Sequence, residues 1–172
     1  MRYQKQYIMQ PPVELYVFNA YSVAALWKVV DDIVMGGHSE GHFAVTEEHH
    51  GRFYGDVSTD GGGFSSVRHA LREPVDATGR KQLFLRVKGD GSEYQFRIRE
   101  DVNAEFSYTY PFTTSGDWQI IEIPLEEMYP VRRGDRLDRP NFADGRIAEI
   151  GFLIANGRDQ AFSLLVDRIE IL

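Results

Sequence analysis

The sequence contains no cysteine among its 172 residues. This absence excludes disulfide bonds, thiolate metal sites and a cysteine nucleophile. The sequence also lacks any apolar run close to the about 20 residues that a membrane span requires. Its first residues hold no apolar stretch of signal-peptide length. Together these absences predict a cytoplasmic protein that does not insert into a membrane.

Positive charge is the second shortage, with 19 Lys and Arg against 26 Asp and Glu and a net charge of −7. Nucleic-acid-binding domains carry a clustered basic face, so we expect no nucleic acid partner. The content of 42% hydrophobic and 13% aromatic residues is that of a folded globular protein. With no repeat or linker in the chain, its length predicts a single domain over residues 1–172.

The distribution of Tyr, Phe, Val and Ile predicts an all-β protein. Short runs of these residues are separated by glycine, and they predict about nine or ten strands. We expect helix only near the start, where Ser22 can cap a short helix that ends at Trp27. This strand count is typical of a jelly-roll β-sandwich. The last strand, in residues 160–172, is expected to lie beside an early one.

The run KQLFLRVKGDGSEYQFRIR shows the clearest alternation of apolar and polar residues. Gly89, Asp90 and Gly91 separate its two halves, and Asp-Gly is a frequent turn pair. We therefore predict a β-hairpin with an apolar face and a basic, solvated outer face. The basic residues of that face are Arg86, Lys88, Arg97 and Arg99. The charged segment 125–146 is predicted to be a loop.

The sequence carries no pattern typical of a catalytic or metal site. Its five histidines do not have the His-Glu-x-x-His spacing, and no Gly-x-Ser-x-Gly segment presents a serine. The glycines at 36–37 and 61–63 do not match a phosphate-binding loop. We therefore expect no catalytic residue, no metal and no cofactor.

Two tracts, DIVMGG at 32–37 and GGGFSSVR at 61–68, lack both an amphipathic period and an ordinary loop composition. Asp32 can accept hydrogen bonds from backbone N–H groups of its own turn. It can alternatively pair with an arginine such as Arg68 at the end of the sandwich. Both arrangements are open at this point.

Together with later motifs, these tracts resemble the complex I intermediate-associated protein family. The family pattern opens with a tryptophan and Asp-x-Val-Met-Gly-Gly-x-Ser, here Trp27 and residues 32–39. It continues with Gly-Gly-Phe-x-Ser-x-Arg at 62–68 and Lys-Gly-Asp-Gly-x-x-Tyr at 88–94. Arg-Gly at 133–134, Ile-Gly-Phe-Leu-Ile at 150–154 and the closing Phe-x-Leu-x-Val-Asp-x-Ile follow in order, so that the resemblance spans about residues 18–171.

The family comprises assembly factors of respiratory NADH:ubiquinone oxidoreductase and their bacterial relatives. The resemblance implies a galactose-binding-like jelly roll and a non-enzymatic factor that binds proteins, among them subunits of the respiratory complex. Because the chain shows no Arg-rich transit segment, it is expected to be a bacterial member. One alternative is a carbohydrate- or small-ligand-binding module, and a second is an uncharacterised enzyme on the same scaffold.

We expect the binding site on loops at one end of the sandwich, since loops on a rigid β scaffold commonly carry function. The candidate residues for ligand or partner binding are Asp32, Gly36, Gly37, Ser39, Arg68, Asp90, Tyr94, Arg97 and Arg133. An enzyme would need its Asp and Arg candidates to converge in one pocket. A carbohydrate module would need exposed aromatic side chains that stack on sugar rings. The aromatic candidates are Trp27, Trp118, Tyr94, Tyr108 and Tyr110.

Overall fold

The computed structural model describes residues 10–172, in which it places thirteen β-strands and three short 3-10 helices. The strands are β1 (Val13–Val17), β2 (Lys28–Asp31), β3 (Glu40–Val45), β4 (Gly51–Val57), β5 (Ser65–Asp76), β6 (Gln82–Lys88), β7 (Glu93–Arg99), β8 (Ser107–Thr113), β9 (Trp118–Pro124), β10 (Tyr129–Arg132), β11 (Asp135–Arg136), β12 (Arg146–Ile154) and β13 (Gln160–Ile171). The 3-10 helices are Ala24–Leu26, Asp32–Met35 and Leu125–Glu127. This composition confirms the all-β class. No helix in residues 10–172 has the length and apolar character that a membrane crossing requires.

The strands form two antiparallel sheets that pack face to face. The six-stranded sheet has the order β3-β4-β13-β6-β9, and β1 also pairs with β13. The seven-stranded sheet has the order β11-β10-β8-β7-β12-β5-β2. Strand β13 therefore pairs with the early strands β1 and β4, which confirms the expected position of the last strand.

The core lies between the two sheets, where alternate residues of each strand point inwards. On β6 the buried residues are Leu83, Leu85 and Val87, and on β7 they are Tyr94, Phe96 and Ile98. Each fully buried side chain of this size contributes about 1.5–3 kcal/mol relative to an exposed one. The period-2 pattern of the sequence thus fixes which face of each strand is buried.

The predicted hairpin at residues 82–99 is wrong. Strand β6 pairs with β13 and β9 in one sheet, whereas β7 pairs with β8 and β12 in the other. The Gly89–Asp90–Gly91 connection therefore crosses between the sheets. A hairpin and a crossing give the same alternation, because in both each strand has one buried face. The predicted basic row is consequently split, with Arg86 and Arg97 on opposite outer faces of the sandwich.

Two further predictions need correction. The helix near the start is a single 3-10 turn with Val23 at its N-cap, and the Ser22 hydroxyl accepts a hydrogen bond from the Asn19 amide instead of capping it. The segment predicted as a loop, 125–146, contains β10 and β11. Pro130 and the three arginines of residues 129–136 conceal these short strands in the sequence, because proline and charge are uncommon in central strands.

Candidate functional site

The carboxylate of Asp32 is fully buried and holds two loops together. Its Oδ1 accepts a hydrogen bond from the Ser39 amide at 2.9 Å. Its Oδ2 accepts from the Ser39 hydroxyl at 2.6 Å and from the amides of Gly63 and Phe64 at 2.6 and 3.1 Å. Burial alone would raise the pKa of this carboxyl, but the four hydrogen bonds outweigh it and lower the pKa below its usual value. Asp32 therefore bonds to its own turn and a neighbouring loop, and not to Arg68.

The glycines around Asp32 allow the close approach of these loops. A Cβ at Gly37 would lie 2.3 Å from Asp32 Cγ, and a Cβ at Gly62 would lie 2.6 Å from the Asp32 side chain. Gly36 has a φ of +82°, which favours glycine. The tract at 32–39 thus forms a compact junction in which Asp32 and Ser39 are buried.

Asp90 and Tyr94 occupy the crossing between the two sheets. Asp90 Oδ1 accepts hydrogen bonds from the Tyr94 hydroxyl at 2.9 Å and the Ser92 amide at 3.1 Å. Asp90 Oδ2 accepts from the Ser163 amide on β13 at 3.0 Å. Burial raises the pKa of the Tyr94 phenol, and the Asp90 carboxylate adds to the increase. Both residues fasten the crossing to β13.

The other three predicted polar residues, Arg68, Arg97 and Arg133, come together on the outer face of the seven-stranded sheet. They line a groove of about 1170 Å³ together with Arg136. This volume exceeds the about 300–1,000 Å³ of typical small-molecule sites. We call it the arginine groove.

The strand register places Arg68 and Arg97 in one row across the sheet. Arg68 on β5 and Arg97 on β7 both lie opposite Gly151 on β12. A Cβ at Gly151 would lie 2.5 Å from the Val67 carbonyl oxygen. Gly151 therefore separates the two arginines in this row without a side chain of its own.

Arg97 is the most enclosed cation of the groove. Its Nε donates to Thr109 Oγ1 at 3.0 Å, and its Nη2 donates to Gln95 Oε1 at 3.1 Å. Burial lowers the pKa of its guanidinium, and nearby Tyr129 acts in the opposite direction. An arginine nevertheless stays protonated in proteins. The two neutral acceptors orient the guanidinium without neutralising its charge.

Arg133 and Arg136 form the far rim of the groove. Arg133 and Gly134 make a two-residue turn between β10 and β11, with φ values of +49° and +83°. Positive φ at both positions is the geometry of the tight hairpin turn. The Arg136 guanidinium lies 4.3 Å from the centroid of the Tyr129 ring. The turn thus presents two cations beside an aromatic ring.

The groove is positively charged within an acidic chain. Its lining contains four arginines and no carboxylate. None of the four has a carboxylate within ion-pair distance among residues 10–172. The apolar part of the lining includes Leu153, Val131, Phe64 and Met35. The arrangement can bind an anionic ligand that also carries apolar groups.

The structure separates the Asp and Arg residues that an enzyme would need together. Asp32 and Asp90 bind loop amides and hydroxyls, and neither lines the arginine groove. The aromatic candidates for stacking on sugars do not line it either. Trp27 and Tyr94 are buried in the core, while Trp118 lies beneath Arg86 on the other sheet.

Among the lining residues of the arginine groove that sequence reasoning missed are Gln95, Thr109, Tyr129 and Arg136. It also missed Gly151, which lies opposite Arg68 and Arg97 in the strand pairing. Tyr129 and Arg136 fall in the segment predicted as a loop. Gln95 and Thr109 alternate with apolar residues, which is a signal for an outward side chain but not for a shared surface. Gly151 interrupts an apolar run, and a glycine inside a strand can mark close backbone approach.

Comparison with protein families matches residues 16–166 to the family described as Complex I intermediate-associated protein 30 (CIA30). The curated mouse protein Complex I intermediate-associated protein 30, mitochondrial, is 29% identical over 192 residues, covering 97% of this chain and 58% of the mouse protein. An uncharacterized protein of Schizosaccharomyces pombe is 26% identical over 170 residues, covering 84% of this chain and 76% of the yeast protein. The chain thus spans little more than half the length of its mouse relative.

Solved structures with a similar fold include carbohydrate-binding modules. The family 11 module of the cellulase Lic26A-Cel5E of Clostridium thermocellum aligns with a TM-score of 0.65 at 18% identity, covering 94% of each chain. A family 30 module aligns with a TM-score of 0.54 at 15% identity, covering 95% of this chain and 99% of that module. The likeness confirms the galactose-binding-like β-sandwich, and at these identities it extends to the fold alone.

Proposed function

The chain belongs to the Complex I intermediate-associated protein 30 family, and from this membership we propose that it is a non-enzymatic assembly factor that binds other proteins. The mouse relative carries complex I in its name, so the proposed partners are subunits of that respiratory complex. The match with the mouse protein covers 97% of the present chain. The proposed binding unit is therefore the β-sandwich itself.

The observation that carries the proposal is the arginine groove. Arginine and tyrosine are enriched in protein interfaces, where they supply charge, hydrogen-bond donors and apolar contact area. The groove offers Arg68, Arg97, Arg133 and Arg136 together with Tyr129. These side chains extend from the sheet face to the β10–β11 turn, and so include one of the loops predicted to bind.

The lining of the groove favours binding over catalysis. It contains no histidine, carboxylate or lysine that could serve as a general base at neutral pH. Its one serine, Ser66, donates a hydrogen bond to the Val30 carbonyl oxygen at 2.6 Å. Its polar groups are mainly hydrogen-bond donors with fixed positive charge, which suit the recognition of an anionic surface.

The test uses the organism that encodes the chain. We would delete the gene and measure assembled complex I on native gels, then rescue with the wild type, with Arg68→Gln/Arg133→Gln, or with Arg52→Gln. Arg52 is a control because it is exposed on the outer face of the six-stranded sheet. We expect assembled complex I to fall on deletion and to be restored by the wild type and the control alone.

Co-precipitation provides the second measurement. The tagged wild type should recover complex I subunits, and the double variant should recover less. Normal complex I in the deletion strain, together with no recovered subunit, would rule out the proposed function. The bacterial origin and cytoplasmic location stay predictions, and fractionation of cells that carry the tagged chain tests the location.

A further inference from the structure

We propose that the arginine groove binds an extended acidic segment of a partner protein, with carboxylates of the segment against its arginines. This inference rests on the proposed function, in which the partner is a protein, and it specifies the chemistry of the partner. It goes beyond family membership because it assigns both a surface and a ligand class. Three features support it: the charge of the groove, the length of the groove and the hydrogen bonding of Arg97.

The charge distribution favours a short anionic segment. The chain has a net charge of −7, yet the groove lining contains four arginines and no acidic residue. At physiological ionic strength, exposed charges act over about 8 Å. A segment that stays within the groove therefore lies closest to the arginines. A long polyanion such as RNA would extend over the acidic remainder of the surface and be repelled there.

The length of the groove favours an extended chain over a single anion. Arg68 lies on β5 and Arg136 on β11, and the order β5-β12-β7-β8-β10-β11 puts five strand spacings between them. At about 4.8 Å per spacing, the two strands are about 24 Å apart. One phosphate or carboxylate cannot reach across this distance. An extended peptide rises about 3.3 Å per residue, so about seven residues span the groove.

Arg97 is the anchor of the proposed site. It lies between the two ends of the groove, and its guanidinium is held by Thr109 and Gln95. Its Nη1 has no hydrogen-bond partner among residues 10–172 and is free to donate to a carboxylate. A partly buried cation without a counter-ion is costly, and a bound carboxylate would compensate it. Because its neighbours already orient it, binding orders few additional groups.

Apolar side chains at the β5 rim of the groove define the rest of the segment. Phe64 and Met35 line the groove on the side of β5, and 61% of Met35 is exposed. Side chains of an extended peptide alternate between two faces. The matching segment therefore carries acidic residues towards the arginines, with apolar residues able to contact this rim.

The experiment measures fluorescence polarisation with a fluorescein-labelled ten-residue peptide of alternating Glu and Leu. The matched control is the same peptide with Gln for each Glu. We expect the Gln peptide to bind the wild type at least about tenfold more weakly, and the affinity of the Glu peptide to fall as salt rises.

Variants of the chain show where on its surface the Glu peptide binds. The exposed change Arg133→Gln combined with Arg68→Gln should weaken binding of the Glu peptide about tenfold. Arg97→Gln should weaken it further, and Arg97→Lys serves as a charge-preserving variant if the Gln change impairs folding. Arg52→Gln on the opposite sheet should bind as the wild type does. Thermal melting of every variant verifies that it is folded.

Several outcomes would overturn the inference. Equal affinity for the Glu and Gln peptides would do so, as would unchanged binding by folded groove variants. Tighter binding of an oligogalacturonate or an oligouridylate at the same site would assign the groove to another polyanion. Recovery of complex I subunits without peptide binding would refute the acidic segment and leave the proposed function standing. Peptide binding with normal complex I in the deletion strain and no recovered subunit would refute the proposed function and retain the chemistry of the groove.

Discussion

Replacement of Asp32 by asparagine tests whether its carboxylate holds the loop junction together. The amide has one oxygen, whereas the carboxylate accepts from the Ser39 amide on one side and from Gly63 and Phe64 on the other. The least costly orientation keeps the oxygen towards Gly63 and Phe64 and points the NH2 group at the Ser39 amide. One buried N–H then loses its acceptor, and the remaining hydrogen bonds lose their charge.

These losses determine how far the free energy of unfolding is expected to fall. An unsatisfied buried donor costs about 1–3 kcal/mol, and charge-assisted hydrogen bonds are about twice as strong as neutral ones. We therefore expect Asp32→Asn to lower the free energy of unfolding by about 2–4 kcal/mol. Asp32→Ala leaves three backbone N–H groups without an acceptor and should cost more. Small domains are stable by about 5–15 kcal/mol, so either change is measurable.

The assay is urea denaturation at pH 7, followed by the fluorescence of Trp27 and Trp118. Asp60→Asn is the matched control, because Asp60 is an 84% exposed carboxylate close to the same junction. It should change stability by less than about 0.5 kcal/mol. If Asp32→Asn were as stable as the control, the carboxylate would not be what joins the two loops.

The stability difference between the wild type and Asp32→Asn has a defined dependence on pH. The pKa of Asp32 is lower in the folded protein than its ordinary value of 3.8, so the folded state favours the charged form. This contribution is fully present above the ordinary pKa and disappears as the pH falls through the folded pKa. The stability difference between wild type and Asp32→Asn should therefore be constant near neutral pH and shrink below about pH 4. A difference that grew on acidification would contradict the assigned hydrogen bonds.

Three further changes test other parts of the structure. Gly151→Ala should destabilise the chain by about 1–3 kcal/mol in thermal unfolding, because the new Cβ would meet the Val67 carbonyl oxygen at 2.5 Å. Tyr94→Phe removes the hydrogen bond to Asp90 and should cost about 1–2 kcal/mol in urea, and no loss would show that this bond does not fasten the sheet crossing. Gly134→Ala requires an alanine at a φ of +83° and should cost about 1 kcal/mol in thermal unfolding, so a more stable variant would contradict the assigned turn.

Much of the strand content could be predicted from local pattern. Alternation of apolar and polar residues located β6 and β7, since a half-buried strand needs this period wherever it lies. Sheet membership could not be predicted in the same way. The pairing of β6 with β13 joins residues about 80 positions apart in the sequence, and no local signal specifies it. The hairpin error at residues 82–99 follows from this limit.

The candidate site could be predicted in part through its motifs. Arg68, Arg97 and Arg133 were singled out individually, and the structure brings them to one groove. Their proximity depends on the register of β5 and β7 against β12, which only the folded sheet provides. The sequence likewise could not show that Asp32 is enclosed by glycines of a second loop. Residue types were visible, whereas distances between distant segments were not.

The central position of β13 has a consequence for the order of folding. This strand lies between β4 and β6, and it also pairs with β1 near residue 13. Until residues 160–171 leave the ribosome, the two earlier strands have no neighbour between them and expose open edges that can pair with other chains. The six-stranded sheet therefore closes only after residues 160–171 have been synthesised. Such high contact order slows folding and lengthens the period in which a chaperone is useful.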